Sequence, residues 1–286
     1  MSETTPVFRL HWPTTAEVPL VFDSPHSGSW FPDDFRHCRT ERELRDGEDC
    51  FIQELFGAAP AHGAPLLEAS FARTYVDANR AETDIDTDLI DGQWPHPLTD
   101  SGKGKSGQAL VWRNLSDGRP IYARKLSVAE MQHRIEQYLR PYQSALKGLI
   151  EQTHARHGVS YHINCHSLQS VGGKMSQDGE GTRRADIVLG DRDGSSCSAE
   201  FTEVVRAFFA NAGYGVKIND PYKGVELVRA FSDPAAGRHS LQIELNRALY
   251  MNEKTLKKND GFKKLQDDLS QLIAQLAQFA RSKKTA

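Results

Sequence analysis

Short apolar runs that break off abruptly in small or polar residues constrain this chain more than any other feature. The run at 18–22 leads straight into Asp23, Ser24, Pro25, His26, Ser27 and Gly28. Pro25 excludes a helix through the junction and Gly28 permits a turn, so His26 is expected just past the carboxyl end of a buried strand. The same shape recurs at 159–165 before His166 and Ser167, at 185–189 before Gly190 and Asp191, and at 215–218 before Asn219, Asp220 and Pro221. In the run 241–245, Ile243 and Leu245 alternate with Gln242 and Glu244, the two-residue period of a strand.

Helical periodicity separates these runs. Val128, Met131, Ile135, Tyr138, Tyr142, Leu146 and Leu149 recur at threes and fours, predicting a long amphipathic helix that ends near His157 and Gly158 and is kinked or divided at Pro141. Residues 200–212 predict a second helix closed by Gly213, and Phe262, Leu265, Leu269, Leu272, Leu276 and Phe279 predict a C-terminal one. Strands alternating with helices imply an α/β fold: a mixed, mostly parallel sheet with helices on both faces. With 286 residues, 38% hydrophobic and 26% charged, the chain is long enough for one core, and a single domain over 1–286 is expected. Segments 92–114 and 171–184 are glycine-rich and lack apolar periodicity, so both are expected to be mobile loops.

Charge and cysteine content exclude several function classes. Lys plus Arg number 35 against 38 Asp plus Glu, which leaves no global field to attract nucleic acid or an anionic membrane, so charge recognition must be local. The four cysteines, Cys38, Cys50, Cys165 and Cys197, have no C-x-x-C spacing and read as reduced, buried thiols. The start of the chain has no basic and apolar leader pattern, no window approaches the length of a membrane span, and a cytoplasmic protein is expected. Gly102 to Gly107 lacks the upstream glycine of a phosphate-binding loop, so nucleotide hydrolysis is excluded as well.

Ligands of open α/β sheets bind beyond the carboxyl ends of the strands, where His26 and His166 are expected. One such histidine is most simply a strand cap; two make metal ligation competitive, and a catalytic metal takes about three protein ligands. The nearest acids, Glu48 and Asp49, open a segment at 49–57 that reads as helical, where they equally suit the positive end of a helix dipole. His162, four residues before His166 in a strand-like run, is read as structural. Arg73, Asn79 and Arg80 fall within nine residues and offer a donor fork for a carboxylate, or else salt bridges to the acidic run Glu82, Asp84, Asp86 and Asp88. Glu244, in an apolar strand pattern, is either paired with Arg247 or a tuned general base. Ser24, Ser27 and Ser167 lie near histidines but in no nucleophile-elbow pattern.

Six motifs in order carry a resemblance: Ser-Pro-His-Ser-Gly at 24–28, Glu-Asp-Cys-Phe-Ile-Gln-Glu-Leu at 48–55, Ala-Arg-Thr-Tyr-Val-Asp-Ala-Asn-Arg at 72–80, Cys-His-Ser at 165–167, Ala-Asp-Ile-Val-Leu-Gly-Asp at 185–191 and Leu-Gln-Ile-Glu-Leu-Asn-Arg-Ala-Leu-Tyr-Met at 241–251. Over nearly its whole length the sequence resembles the N-formylglutamate amidohydrolases, and more distantly the zinc carboxypeptidases and aspartoacylases. The resemblance implies a divalent metal ion, Zn²⁺ by analogy, held by His26, His166 and Asp49 or Glu48. It further implies Glu244 as the proton-transferring group, Arg73 as an aid to the oxyanion, and Asn79 with Arg80 as the grip on one substrate carboxylate. Arg229 or Arg238 is left for the other. The implied reaction converts N-formyl-L-glutamate to formate and L-glutamate, a step of histidine breakdown, with a small dicarboxylate as substrate, no nucleic-acid or membrane partner, and the oligomeric state open. The alternatives are hydrolysis of another N-acyl amino acid and amino-acid binding without catalysis.

Overall fold

The computed structural model describes residues 5–174 and 176–283; the ends of the expected 1–286 span and position 175 of the second expected loop lie outside them. Seven strands form one sheet: β1 (Phe8–His11), β2 (Leu20–Ser24), β3 (Leu66–Ala69), β4 (Ser160–Leu168), β5 (Ile187–Gly190), β6 (Val216–Ile218) and β7 (Arg238–Asn246). Their spatial order is β1-β3-β2-β4-β7-β5-β6. The central four run parallel, while β1 pairs antiparallel with β3 and β5 antiparallel with β7. The sheet is therefore mixed and mostly parallel, as the sequence predicts, and β1 and β3 are strands that the apolar runs did not announce. Because β5 and β6 run against the centre, their carboxyl ends point away from the edge that carries His26. Arg184, just ahead of β5, comes to that edge instead.

Helices cover both faces. α1 (Val128–Arg134) and α2 (Arg140–His157) lie on one side, joined by a π-helical turn at Ile135–Leu139. That turn absorbs Pro141, whose ring and missing N–H disrupt regular α-helical bonding, so the predicted helix bends without breaking. α3 (Ala199–Asn211) and α5 (Phe262–Ser282) cover the other side, and a short α4 (Glu226–Phe231) precedes β7. α5 buries Phe262, Leu265, Leu269, Leu272, Ile273, Leu276, Ala277 and Ala280 along one stripe. No helix among the described residues is long and apolar enough to cross a membrane.

Strand alternation divides the centre of the sheet chemically. Phe22, Ile163, Cys165, Leu241, Ile243 and Leu245 join the core beneath α3 and α5. The intervening positions are Asp23, His162, Asn164, His166, Ser240, Gln242 and Glu244, all buried. β4 and β7 pair in register over nine residues, placing His162 beside Ser240, Asn164 beside Gln242 and His166 beside Glu244. His166 thus lies inside β4 and not beyond its end as expected, because its polarity is met sideways, across the sheet.

Three further expectations change. Residues 49–57 contain only a single helical turn, Ile52–Leu55, entered through Phe51 in the left-handed region at φ 66. In the segment 92–114, residues Ala109, Leu110, Val111 and Trp112 are buried, so the part read as a mobile loop closes over the core. Cys38 is exposed while the other three cysteines are buried, and all four are free.

Gly28 shows how tightly the His26 turn is packed. A Cβ at this position would lie 2.4 Å from the Phe71 carbonyl oxygen and 2.5 Å from the Ser70 carbonyl carbon, both backbone atoms. Gly28→Ala is therefore expected to cost about 1–3 kcal/mol or more, read as a lower urea midpoint with an unchanged m-value. A variant as stable as the parent would show that this close approach is not required.

Candidate functional site

His26 follows β2 at the carboxyl edge of the sheet, and the Asp49 backbone N–H donates to its carbonyl at 2.9 Å, which draws the 48–50 segment over the same edge. Three buried ligand atoms converge there. His26 Nδ1 and His166 Nδ1 are 3.1 Å apart, and Asp49 Oδ2 lies 3.0 Å from His166 Nδ1 and 3.5 Å from His26 Nδ1. Glu48 turns away and pairs with Arg45, so Asp49 is the acidic member.

The hydrogen-bond network assigns the tautomers. His26 Nε2 faces Asp77 Oδ1 at 2.7 Å, so the proton belongs on Nε2 and Nδ1 offers a lone pair. The Asn164 amide donates to Asp23 Oδ1 at 2.7 Å, which turns its oxygen toward His166 Nε2, 2.7 Å away. His166 Nε2 also lies 2.9 Å from the donor Asn79 Nδ2, and in the tautomer that donates from Nε2 to Asn164 its Nδ1 presents a lone pair. Asp49 is held through its other oxygen, Oδ1, which accepts from Ser167 Oγ at 2.9 Å and Arg247 Nη2 at 3.1 Å. With His166 in that tautomer three acceptor atoms converge on one buried point, a donor set that could hold a metal ion. Tetrahedral Zn²⁺ with ligands at about 2.0–2.1 Å sets them about 3.3 Å apart, which these separations fit.

The supporting electrostatics are local. Asp77 is fully buried; burial alone would raise its carboxyl, but Arg73, His26 and Arg80 hold it well below the usual carboxylate range. Its Oδ2 accepts from Arg73 Nε at 2.8 Å. Burial pushes the His166 imidazole down, favouring the neutral ring that a metal ligand needs. Glu244 Oε1 accepts from Gln242 Nε2 at 2.7 Å, and no partner among the described residues meets its buried Oε2. Burial, reinforced by Asp49, raises its carboxyl well above the ordinary range. Of the two readings open for Glu244, the pair with Arg247 is not formed, since Arg247 bonds Asp49 and Ser167.

A cavity of about 340 Å³ opens on this cluster and is lined by His26, Asp49, Arg73, Asn79, Arg80, His166 and Glu244 together with Lys103, Trp112, Arg184 and Tyr222. Arg73 lies over the Trp112 ring, 5.0 Å from its centroid. The acidic run takes other partners: Glu82 binds Arg140 and Asp86 binds Arg113, while Asp84 comes within 3.9 Å of Arg80. Asn79 lines the cavity with its amide committed inward: Nδ2 lies 3.2 Å from Asn164 Oδ1 and 2.9 Å from His166 Nε2, and Oδ1 accepts from the Leu227 backbone N–H. Arg229 is not brought to the site; it is exposed on α4 and paired with Glu226, and Arg238 pairs with Asp233.

Asp23, His162 and Ser240 have the bonding pattern of a hydrolytic triad, with His162 2.8 Å from Asp23 and 2.7 Å from Ser240. All three have zero exposure, so the arrangement is a strut within the sheet and not a nucleophile. Ser27 bonds Ser24, and Ser167 is spent on Asp49. Asp77 and Asn164 were not assigned roles from the residues alone, and Arg247 was considered only as a partner of Glu244. The i to i+4 spacing of Arg73 and Asp77 and the even-numbered alternation of β4 are the signals that could have found the first two.

Comparison with known proteins agrees with this geometry. The sequence model of the family described as N-formylglutamate amidohydrolase matches residues 18–251. A protein named N-formylglutamate deformylase from Pseudomonas putida is 28% identical over 246 residues, covering 82% of this chain and 83% of that protein. One of the same name from Pseudomonas aeruginosa is 28% identical over 241 residues, with the same coverage. The crystal structure of N-formylglutamate amidohydrolase from Ralstonia eutropha JMP134 superposes with a TM-score of 0.93 at 42% identity, over 97% of this chain and 99% of that one. An Agrobacterium tumefaciens protein at 16% identity and a TM-score of 0.69 shares the fold. With a site built on the motifs at 24–28, 48–55, 72–80, 165–167 and 241–251, and a family match spanning all of them, the chain belongs to the N-formylglutamate amidohydrolase family.

Proposed function

We propose that the protein hydrolyses the formyl amide of N-formyl-L-glutamate to formate and L-glutamate, using a divalent metal ion held by His26, Asp49 and His166. The observation that carries the reading is the convergence of three acceptor atoms beside the unbonded Oε2 of Glu244, at the floor of a cavity walled by guanidinium groups. The relatives' names supply the substrate. Bound there, a metal such as Zn²⁺ supplies Lewis acidity toward the formyl oxygen and acidifies water.

The chain's own residues supply the rest. Glu244 Oε2 takes a proton from the attacking water and returns it to the departing amine nitrogen; burial, by raising its basicity, matches it to both transfers. Arg73 directs its remaining donors at the developing oxyanion while Nε stays on Asp77. Arg80, its guanidinium almost wholly buried, receives one substrate carboxylate. Asp77 and Asn164 keep the two imidazoles in the required tautomers. The products fit the last step of histidine breakdown, and the cytoplasm is the expected compartment for it.

Elemental analysis is expected to find one divalent metal ion per chain. Exhaustive chelation should abolish formate release and added Zn²⁺ restore it; full activity in metal-free protein would overturn the metal assignment. Glu244→Gln should keep the metal and bind substrate while kcat falls roughly 10²- to 10⁴-fold, and normal turnover in that variant would remove Glu244 as the base. Arg80→Ala should instead act on KM, with a loss of about 2–5 kcal/mol in kcat/KM for a desolvated carboxylate partner.

A further inference from the structure

The cations around the cavity differ in how far their donors are already engaged. Arg247 is taken up by Asp49 and Ser167, Arg184 by Asp178 and Ser176, and Lys223 by Asp193. Arg73 sits at the reacting end, where Asp49 and Glu244 both act on it. Arg80 and Lys103 also line the cavity, and the Lys103 ammonium makes no hydrogen bond or ion pair with any described residue.

Lys103 is also held in place. Its backbone N–H donates to Ser101 Oγ at 3.2 Å, and Ser101 Oγ donates to Asp84 Oδ2 at 2.6 Å. Its carbonyl accepts from the Gln108 N–H at 3.0 Å, and the Gln108 carbonyl in turn lies 3.5 Å from Arg80 Nε. Arg113 fastens the adjoining Gly104 carbonyl. A turn anchored on both sides thus carries an unpaired ammonium into the wall of the cavity, next to the guanidinium assigned to a carboxylate. A substrate with two carboxylates has one for Arg80 and one left over, and Arg229, paired with Glu226, does not line the cavity.

We propose that Lys103 is the specificity-determining residue that receives the side-chain carboxylate of the substrate, selecting dicarboxylic over neutral N-formyl amino acids. This rests on the reading of the site given above. Burial, with help from Arg80 and Arg73 and against Asp77 and Asp84, pulls the Lys103 ammonium down to about 8. An incoming carboxylate supplies the charge that the site lacks. Selectivity is accordingly largest well below about pH 8 and declines as pH rises through it, since deprotonation removes the cation that the second carboxylate needs.

The test is calorimetric binding of N-formyl-L-glutamate and N-formyl-L-glutamine to metal-loaded Glu244→Gln protein, with Lys103 intact or changed to Met or Arg. With Lys103 intact, the dicarboxylate should bind roughly 10- to 100-fold tighter, the range of a charge-assisted hydrogen bond. Lys103→Met should erase that preference and Lys103→Arg retain most of it. Raising the pH from 7 to 9 should weaken only the dicarboxylate, and only in the protein with Lys103. No preference with Lys103 present, a preference that survives Lys103→Met, or an equal loss for both ligands would each overturn the assignment. Because binding is read without turnover, failure of the parent protein to release formate while the Lys103-dependent preference stands would overturn the deformylase reading alone.

Discussion

The parallel pairing of β4 with β7 is the constraint on which the rest of the structure depends. Along the nine residues in register, Ile163, Cys165, Leu241, Ile243 and Leu245 enter a dry core and His162, Asn164, His166, Ser240, Gln242 and Glu244 form a polar ladder on the opposite face. Side chains on a strand alternate with a period of two, so a one-residue slip of either strand would drive His166 or Glu244 into the apolar core and turn Ile163 or Ile243 toward Asp23. The apolar face enforces the register, and the register sets the proposed ligand beside the proposed base. Stability and site geometry are in this sense the same contact.

A ladder of buried polar groups survives only if nearly every one of them is bonded. Asp23 meets that condition in the interior by accepting from Tyr142, from Asn164 and from His162. Asp77 does so at the edge with His26, Arg73 and the Asn79 backbone. At the cavity the unmet groups include the Oε2 of Glu244 and the ammonium of Lys103, both open to an incoming ligand.

Much of this was legible in the sequence, for identifiable reasons. Apolar runs ending in small or polar residues marked β2, β4, β5 and β7, because a strand buried on both faces leaves a short, nearly unbroken apolar signature, and they marked the partly exposed β6 as well. The stripe of α5 was as clear, since one face of that helix does nothing but pack. β1 and β3 were missed: β1 interleaves Arg9 and His11 with Phe8 and Leu10, and β3 carries Glu68, so neither forms an unbroken apolar run. His166 was placed beyond its strand because a histidine in a buried run looks like a terminator until the neighbouring strand that accommodates it is known. The helix expected at 49–57 shrank to one turn, because Phe51 takes the left-handed conformation at φ 66, which interrupts the helix after Cys50.

The sequence by itself determined the α/β class, the candidate pair of histidines, the carboxylates available to them and the cluster of arginines, since each is a property of residue type and short spacing. Only the tertiary structure decided between Asp49 and Glu48, turned the Asn79 amide inward, sent Arg229 to the surface and brought Lys103 to the wall of the cavity. Those outcomes hang on contacts between segments tens to more than a hundred residues apart: Asp49 with Arg247, Asn79 with Leu227, Asn164 with Asp23. Periodicity and composition report what a residue prefers locally, while the direction of a buried charge is set by whichever distant partner neutralises it.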